Sequence, residues 1–276
     1  MSPMYLVILA GGSGARHKPL SGGATPATFE RGADGRSALE RTVARLGPLV
    51  GREDVVVVTD RRTGQLARVQ APDARILPEP MHRNTAASIA LATVAVERPE
   101  GETMLVVTAD HEVEDDDALR HAIEAVDADL QGADPNIQPP LLAFAVPPTA
   151  PDPGPTYLRP RLDGALRAGD LRLYPVDTYE PGPDLTRARD LYDSGTAYWT
   201  AGVFVWRRSA IRAAIERYTP LLTLIEPAYR SELALRAAYD RLQPLSIDEA
   251  VLAGAARDGA LVMAPLEIGW RPVEVA

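Results

Sequence analysis

The 276-residue sequence contains no cysteine. Disulfides, zinc–thiolate centres and cysteine nucleophiles are therefore excluded. Lysine is almost as scarce. Lys18 is the only lysine among 29 basic residues, so a cation needed elsewhere must be arginine. Positive charge is short overall: the formal net charge is −9, which argues against nucleic-acid binding by phosphate neutralisation. No stretch approaches the roughly 20 apolar residues that span a bilayer. The apolar run at the N-terminus is too short for a signal peptide and lacks a basic flank. These absences predict a cytoplasmic protein with neither a membrane nor a nucleic acid as partner. No repeat of fixed period and no low-complexity tail is present.

What is there supports a sizeable core, because 46% of the residues are hydrophobic. Strand-like and helix-like stretches alternate through the first half. After the opening apolar run, residues 37–50 carry Leu39, Val43, Leu46 and Val50 near helical spacing. Residues 54–59 are apolar and β-branched, as a strand covered on both faces should be. A helix is predicted over 63–69, a strand over 75–77, and an alanine-rich helix over 85–97 capped by Asn84 or Thr85. A strand over 103–108 and a helix over 117–129 follow. This rhythm predicts an α/β fold with a mainly parallel sheet and helices on both faces.

Proline and glycine crowd residues 131–155, yet the run Leu141–Val146 inside them reads as one more buried strand. No independent domain boundary is placed there. The chain is read as one domain, with residues 1–146 and 147–276 as its two halves. Further strands are predicted over 171–179 and 202–206, and helices over 209–218, 221–242 and 247–257. Ser246 and Glu249 have the spacing of a capping box.

The chemistry-bearing stretches begin with Leu9-Ala10-Gly11-Gly12-Ser13-Gly14-Ala15-Arg16. Glycines at the end of a strand let backbone N–H groups approach a polyanion, and Arg16 adds a fixed charge. No Gly-Lys-Ser/Thr follows, so this is not a P-loop, and His17 breaks the dinucleotide fingerprint. A glycine turn with no ligand would read the same. The second stretch, Glu79-Pro80-Met81-His82-Arg83-Asn84-Thr85, opens a helix. Its backbone N–H groups and Arg83 can hold an anion or a polar base, and Glu79 and Asn84 can pair with a guanine edge; a plain helix cap is the alternative.

The third stretch, Thr108-Ala109-Asp110-His111, lies at the carboxyl end of a strand, where ligands gather in open α/β sheets. Asp110 can hold Mg²⁺ together with phosphate oxygens. His111 is read as a brace for the loop, and the acids from Glu112 to Asp117 as a solvated loop and helix start. In the last stretch, Tyr198-Trp199-Thr200-Ala201-Gly202, an aromatic pair before glycine can make a stacking wall for a sugar, though two such residues are more often core.

Taken together these stretches resemble the nucleotide-sugar pyrophosphorylase family, in its mannose-1-phosphate guanylyltransferase branch. The matches also include Pro19-Leu20-Ser21, Ser246-Ile247-Asp248 and Gly269-Trp270. The Arg83-Asn84-Thr85 element is the most specific, since it marks the guanine-handling branch. The resemblance implies a single-domain Rossmann-like fold of the nucleotide-diphospho-sugar transferase type. It implies a nucleotidyltransferase that takes GTP and a hexose 1-phosphate, mannose 1-phosphate, to GDP-mannose and pyrophosphate with Mg²⁺. Gly11, Gly12, Ser13, Gly14 and Ala15 would cradle the triphosphate, with Glu79, Arg83, Asn84 and Thr85 at the base. Arg16 and Asp110 would be catalytic, Asp110 as the metal ligand, and Trp199, Thr200 and Gly202 would line the sugar. A homo-oligomer is compatible with this reading.

The departures from the family pattern cluster. Its Pro-Lys-Gln-Phe becomes Pro26-Ala27-Thr28-Phe29, and its Glu-Lys-Pro-Asp aligns with Pro181-Gly182-Pro183-Asp184. A tyrosine-glycine-tyrosine stretch becomes Pro155-Thr156-Tyr157, the asparagine after the tryptophan is Thr200, and a second carboxylate near Trp270 is Pro272. The nucleotide half keeps most of its polar groups while the sugar-phosphate half loses charge. An inactive homologue that binds GTP or a GDP-sugar as a regulatory subunit is the alternative expectation.

Overall fold

The structure, a computed structural model, describes residues 4–11, 26–134 and 138–273. The opening apolar run forms β1 (Met4–Leu9). Its side chains alternate: Tyr5, Val7 and Leu9 enter one core, and Met4, Leu6 and Ile8 the other. The first half continues with α1 (Ala38–Leu46), β2 (Val55–Asp60), α2 (Gly64–Gln70), β3 (Arg75–Glu79), α3 (Asn84–Ala95) and β4 (Thr103–Thr108). β1 pairs in parallel with β2 and β4, and β2 with β3, as strands joined by helical crossovers must.

The chain goes on through β5 (His111–Glu112), α4 (Asp116–Gly132), β6 (Leu141–Val146), β7 (Tyr157–Pro160), β8 (Leu166–Ala168), β9 (Leu171–Glu180) and α5 (Leu185–Asp193). It closes with β10 (Tyr198–Arg207), α6 (Arg208–Tyr218), α7 (Leu221–Ile225), α8 (Glu232–Asp240), α9 (Ala253–Arg257), β11 (Leu261–Pro265) and β12 (Arg271–Pro272). The main sheet has the order β3-β2-β1-β4-β10-β6-β11-β9-β7 among the described residues. β10 runs antiparallel between β4 and β6 and so joins the two halves of the chain in one sheet. α1, α2, α4 and α5 supply the core on one face, and α3, α6, α7, α8 and α9 on the other. The fold is Rossmann-like, a mixed sheet covered on both faces. No helix among the described residues is long and apolar enough to cross a membrane.

Several local expectations change. The helix predicted over 221–242 is two helices, because Pro227 follows α7 and supplies no backbone donor for its continuation. α3 is not capped by Asn84 or Thr85 in the usual manner. Asn84 is itself left-handed, at φ 65°, and the Thr85 hydroxyl instead accepts the N–H of Ile247 at 2.8 Å. Ser246 and Glu249 do form a reciprocal capping box, and it opens onto a π-helical turn at Asp248–Leu252. Ser37 and Glu40 form a second such box at the start of α1. β11, a run of four apolar residues and a proline, was not expected as a strand; it lies parallel to β6.

Candidate active site

The carboxyl edge of the parallel strands gathers the candidate residues. Gly11 leaves β1, Asp60 ends β2, Glu79 ends β3, and Asp110 follows β4. Gly12, Ser13, Gly14, Ala15 and Arg16 lie outside the described residues, as do Lys18 and Glu274. Gly11 itself is closely packed. A Cβ there would stand 3.3 Å from Glu79 Oε2 and 3.6 Å from Thr59 Cα. The absence of a side chain at residue 11 thus serves packing against β2 and β3.

Asp60 is buried and accepts the N–H groups of Arg62 and Thr63 at 2.7 and 3.1 Å, forming the turn that opens α2. Beside it, the Thr59 hydroxyl lies 3.1 Å from the Ala10 carbonyl and pins the end of β1. Glu79 is 1% exposed, so it does not present its carboxylate to a base as the sequence suggested. Oε2 accepts from the Ser88 hydroxyl at 2.8 Å, and Oε1 from the Tyr239 hydroxyl at 3.0 Å. Burial lifts its pKa to about 7, the two hydroxyl donors pull it down, and the like charge of Asp60 raises it.

The head of α3 is braced from the far end of the chain. Arg83 Nε donates to the Tyr239 carbonyl at 2.8 Å, and Ala86 N–H to the Leu245 carbonyl at 3.3 Å. Thr85 N–H is taken by the Asn84 side-chain oxygen at 2.8 Å. These two amides of the first turn are therefore not offered to an anion, contrary to expectation. What remains for a ligand at this position is the guanidinium of Arg83 and the amide nitrogen of Asn84. Partial desolvation pushes the His82 imidazole below its usual pKa.

Across β1, Asp110 has a side chain 47% exposed beside buried His111. His111 Nδ1 lies 3.2 Å from the Thr108 hydroxyl, and its ring meets Trp270 at 6.0 Å. It braces the loop, as expected. The acids that follow are engaged: Glu112 with Arg271 at 2.8 Å, Asp116 with Arg45 at 2.5 Å, and Asp117 with Arg120. Asp115 caps α4. No group of three or more His, Asp or Glu able to hold a metal occurs among the described residues.

The sugar-side residues divide. Trp199 is 3% exposed and meets Tyr157 and Trp270 edge-on, each at 6.1 Å. It is a core ring, not an open stacking wall. Thr200 is half-buried; its N–H donates to the Thr156 carbonyl and its hydroxyl accepts from Gly202 N–H at 3.2 Å. Gly202 sits in an irregularity of β10 at φ 68°, where a Cβ would come within 2.5 Å of the Thr108 hydroxyl. It therefore lies against the Asp110 loop. Asp184 caps α5, and Arg187 clamps Glu180 at 2.8 and 2.5 Å. Asp248 accepts from the Tyr179 hydroxyl at 2.6 Å, linking the Ser246-Ile247-Asp248 stretch to β9. Tyr239, Ser88 and Tyr179 were not anticipated. Ser88 alone had a local signal, one helical turn beyond Asn84.

A Rossmann-like sheet whose carboxyl edge carries Gly11, a helix-opening arginine and an aspartate has the architecture of a nucleotide-handling transferase. The chain belongs to the MobA-like NTP transferase family, whose domain pattern matches residues 6–151. The resemblance to the mannose-1-phosphate guanylyltransferase branch holds over the whole chain. It is 30% identical to mannose-1-phosphate guanylyltransferase of Escherichia coli (strain K12), covering 99% of this chain and 58% of that protein. It is 31% identical to the alginate biosynthesis protein AlgA of Pseudomonas fluorescens, covering 98% of this chain and 56% of that one. The chain thus spans a little over half the length of these curated relatives. A Thermus thermophilus structure, titled mannose-1-phosphate geranyltransferase, superposes with a TM-score of 0.77 at 28% identity. That match covers 98% of this chain and 76% of that one.

Proposed function

We propose that this protein transfers a guanylyl group from GTP to mannose 1-phosphate, giving GDP-mannose and pyrophosphate. What supports the reading is that the same carboxyl edge carries Gly11 after β1, Asp110 after the adjacent β4, and Arg83 and Asn84 after β3. Membership of the NTP transferase family, and relatives named for mannose 1-phosphate, support it. A phosphate oxygen of the sugar 1-phosphate attacks the α-phosphorus of GTP. One P–O bond forms, the bond to the β-phosphate bridge breaks, and pyrophosphate leaves. The protein's task is to hold the reactants in line and offset the developing charge.

Gly11 to Ala15 form the triphosphate seat in this reading, and Arg16 steadies the phosphates as charge shifts between them. Arg83 and the amide nitrogen of Asn84 reach guanine, while Thr85 fixes the helix start and Glu79 acts from beneath. Thr200 and Gly202 border the sugar, with Trp199 behind them. Asp110 fits Mg²⁺ of the kind that takes one or two carboxylates and completes its shell with substrate phosphates and water. Bound there, the ion would neutralise phosphate charge at the reacting centre. A reaction on GTP fits a cytoplasmic setting, and a homo-oligomer is compatible with it.

A second reading, a nucleotide-binding homologue without turnover, is favoured by Ala27 and Pro272, which stand where the family has a lysine and a carboxylate. Calorimetric titration with GTP, combined with pyrophosphate release across a panel of hexose 1-phosphates, separates the two. Binding with release supports transfer, and binding alone supports the second reading. Absence of GTP binding removes both.

A further inference from the structure

One residue from far along the chain holds both ends of the connection between β3 and α3. Tyr239 is fully buried in the last turn of α8. Its hydroxyl donates to Glu79 Oε1 at 3.0 Å and lies 3.4 Å from the Ala87 carbonyl, which anchors the ring to the end of β3 and to the first turn of α3. Its backbone carbonyl accepts Arg83 Nε–H at 2.8 Å. Glu79 and Arg83 thus share one partner, which meets the first with its side chain and the second with its main chain. The segment after Tyr239 keeps to the same path. The Leu245 carbonyl takes Ala86 N–H at 3.3 Å, and Ile247 N–H reaches the Thr85 hydroxyl at 2.8 Å.

Arg83 carries five N–H donors in a planar fork. The bond to Tyr239 uses Nε alone, and a carbonyl in the last turn of a helix, at the negative end of the dipole, suits a cation. The Nη donors have no protein partner among the described residues. The fork is therefore held at its base and open at its tips.

We propose that Tyr239 is a positioning residue for base recognition, acting through Arg83 to favour a purine that presents two acceptors side by side. The inference rests on the reading of Arg83 as the cation that meets guanine. Guanine offers O6 and N7 as such a pair, whereas adenine places an amino donor where O6 would be. A fork held in one orientation accepts the first and meets donor with donor in the second. A fork free to turn keeps its charge but loses this directionality. A role confined to packing would instead lower stability and weaken both nucleotides alike.

The test is a double-mutant cycle read by calorimetry. GTP and ATP are each titrated into the wild type, Tyr239→Phe, Arg83→Ala and the double variant. Phenylalanine keeps the ring and removes only the hydroxyl. Arg83→Ala is expected to lower the preference for GTP over ATP by about tenfold or more. Tyr239→Phe is expected to lower it by about three- to tenfold, and to lower it no further once Arg83 is alanine. Additive losses, an unchanged preference in Tyr239→Phe, or equal weakening of both nucleotides overturns this inference and leaves the functional reading standing. A wild type that binds neither nucleotide, or an Arg83→Ala protein that keeps the wild-type preference, overturns the guanine reading and the inference with it. Should Tyr239→Phe fail to fold, NMR of the wild type decides. An Arg83 Nε–H signal, identified by its absence from Arg83→Lys, that is protected from solvent exchange before nucleotide is added supports the proposal. One that exchanges freely rejects it.

Discussion

Pro272 stands opposite His111 in the two-residue antiparallel pairing of β5 and β12, adjacent to Asp110. Proline carries no side-chain donor, so this position offers nothing to a cation beside Asp110. The neighbouring Arg271 occupies Glu112 and Glu114 at 2.8 and 3.3 Å. A metal at this edge would depend on Asp110 and on the phosphates it arrives with.

Asp110→Asn is therefore expected to weaken GTP binding in the presence of Mg²⁺ by on the order of tenfold or more, and to leave metal-free binding nearly unchanged. Parallel calorimetric titrations with Mg²⁺ and with a chelator check this. Equal losses in both would remove Asp110 as a metal ligand.

Gly202→Ala is expected to destabilise the fold by about 2–4 kcal/mol. The left-handed backbone at φ 68° disfavours any Cβ, and this one would press on the Thr108 hydroxyl 2.5 Å away. Turning that hydroxyl aside gives up its contact with His111 at 3.2 Å. Urea unfolding of the variant measures the loss, and an unchanged midpoint would contradict the packing described for this loop.

Stability should carry the signature of Glu79. Its pKa in the folded state is about 7, against an ordinary value of 4.5, so the folded protein binds more protons between those values. The contribution is fully present below about 4.5 and declines as pH rises. Above about 7 it is lost, to the extent of about 3 kcal/mol. The difference in urea midpoint between Glu79→Gln and the wild type, followed from about pH 4 to pH 8, should open along this slope. A pH-independent difference would show that the carboxyl titrates at its ordinary value.

The parallel half of the sheet was legible because its strands are buried on both faces. Val55 to Val58 and Leu6 to Leu9 admit no polar residue, and α3 is buried all round from Ala86 to Ala95. β11 escaped notice although its run from Leu261 to Ala264 is as apolar. The glycine-rich stretch, the Arg83 element and Asp110 are short local patterns, and their described members Gly11, Arg83 and Asp110 lie along the carboxyl edge of the sheet. Tyr239 could not be, since its partner Glu79 lies 160 residues away and only folding brings α8 over β3. Trp199 was misjudged because an aromatic residue before glycine looks the same in a sugar wall and in a core; Tyr157 and Trp270, which enclose it, come from other parts of the chain.

The most direct test of the assigned chemistry is pyrophosphate release from GTP on adding mannose 1-phosphate and Mg²⁺. Release that requires mannose 1-phosphate and falls by about 10²-fold or more in Arg16→Ala is the predicted result. No release above the Arg16→Ala control, from a folded protein given each hexose 1-phosphate in turn, would contradict it.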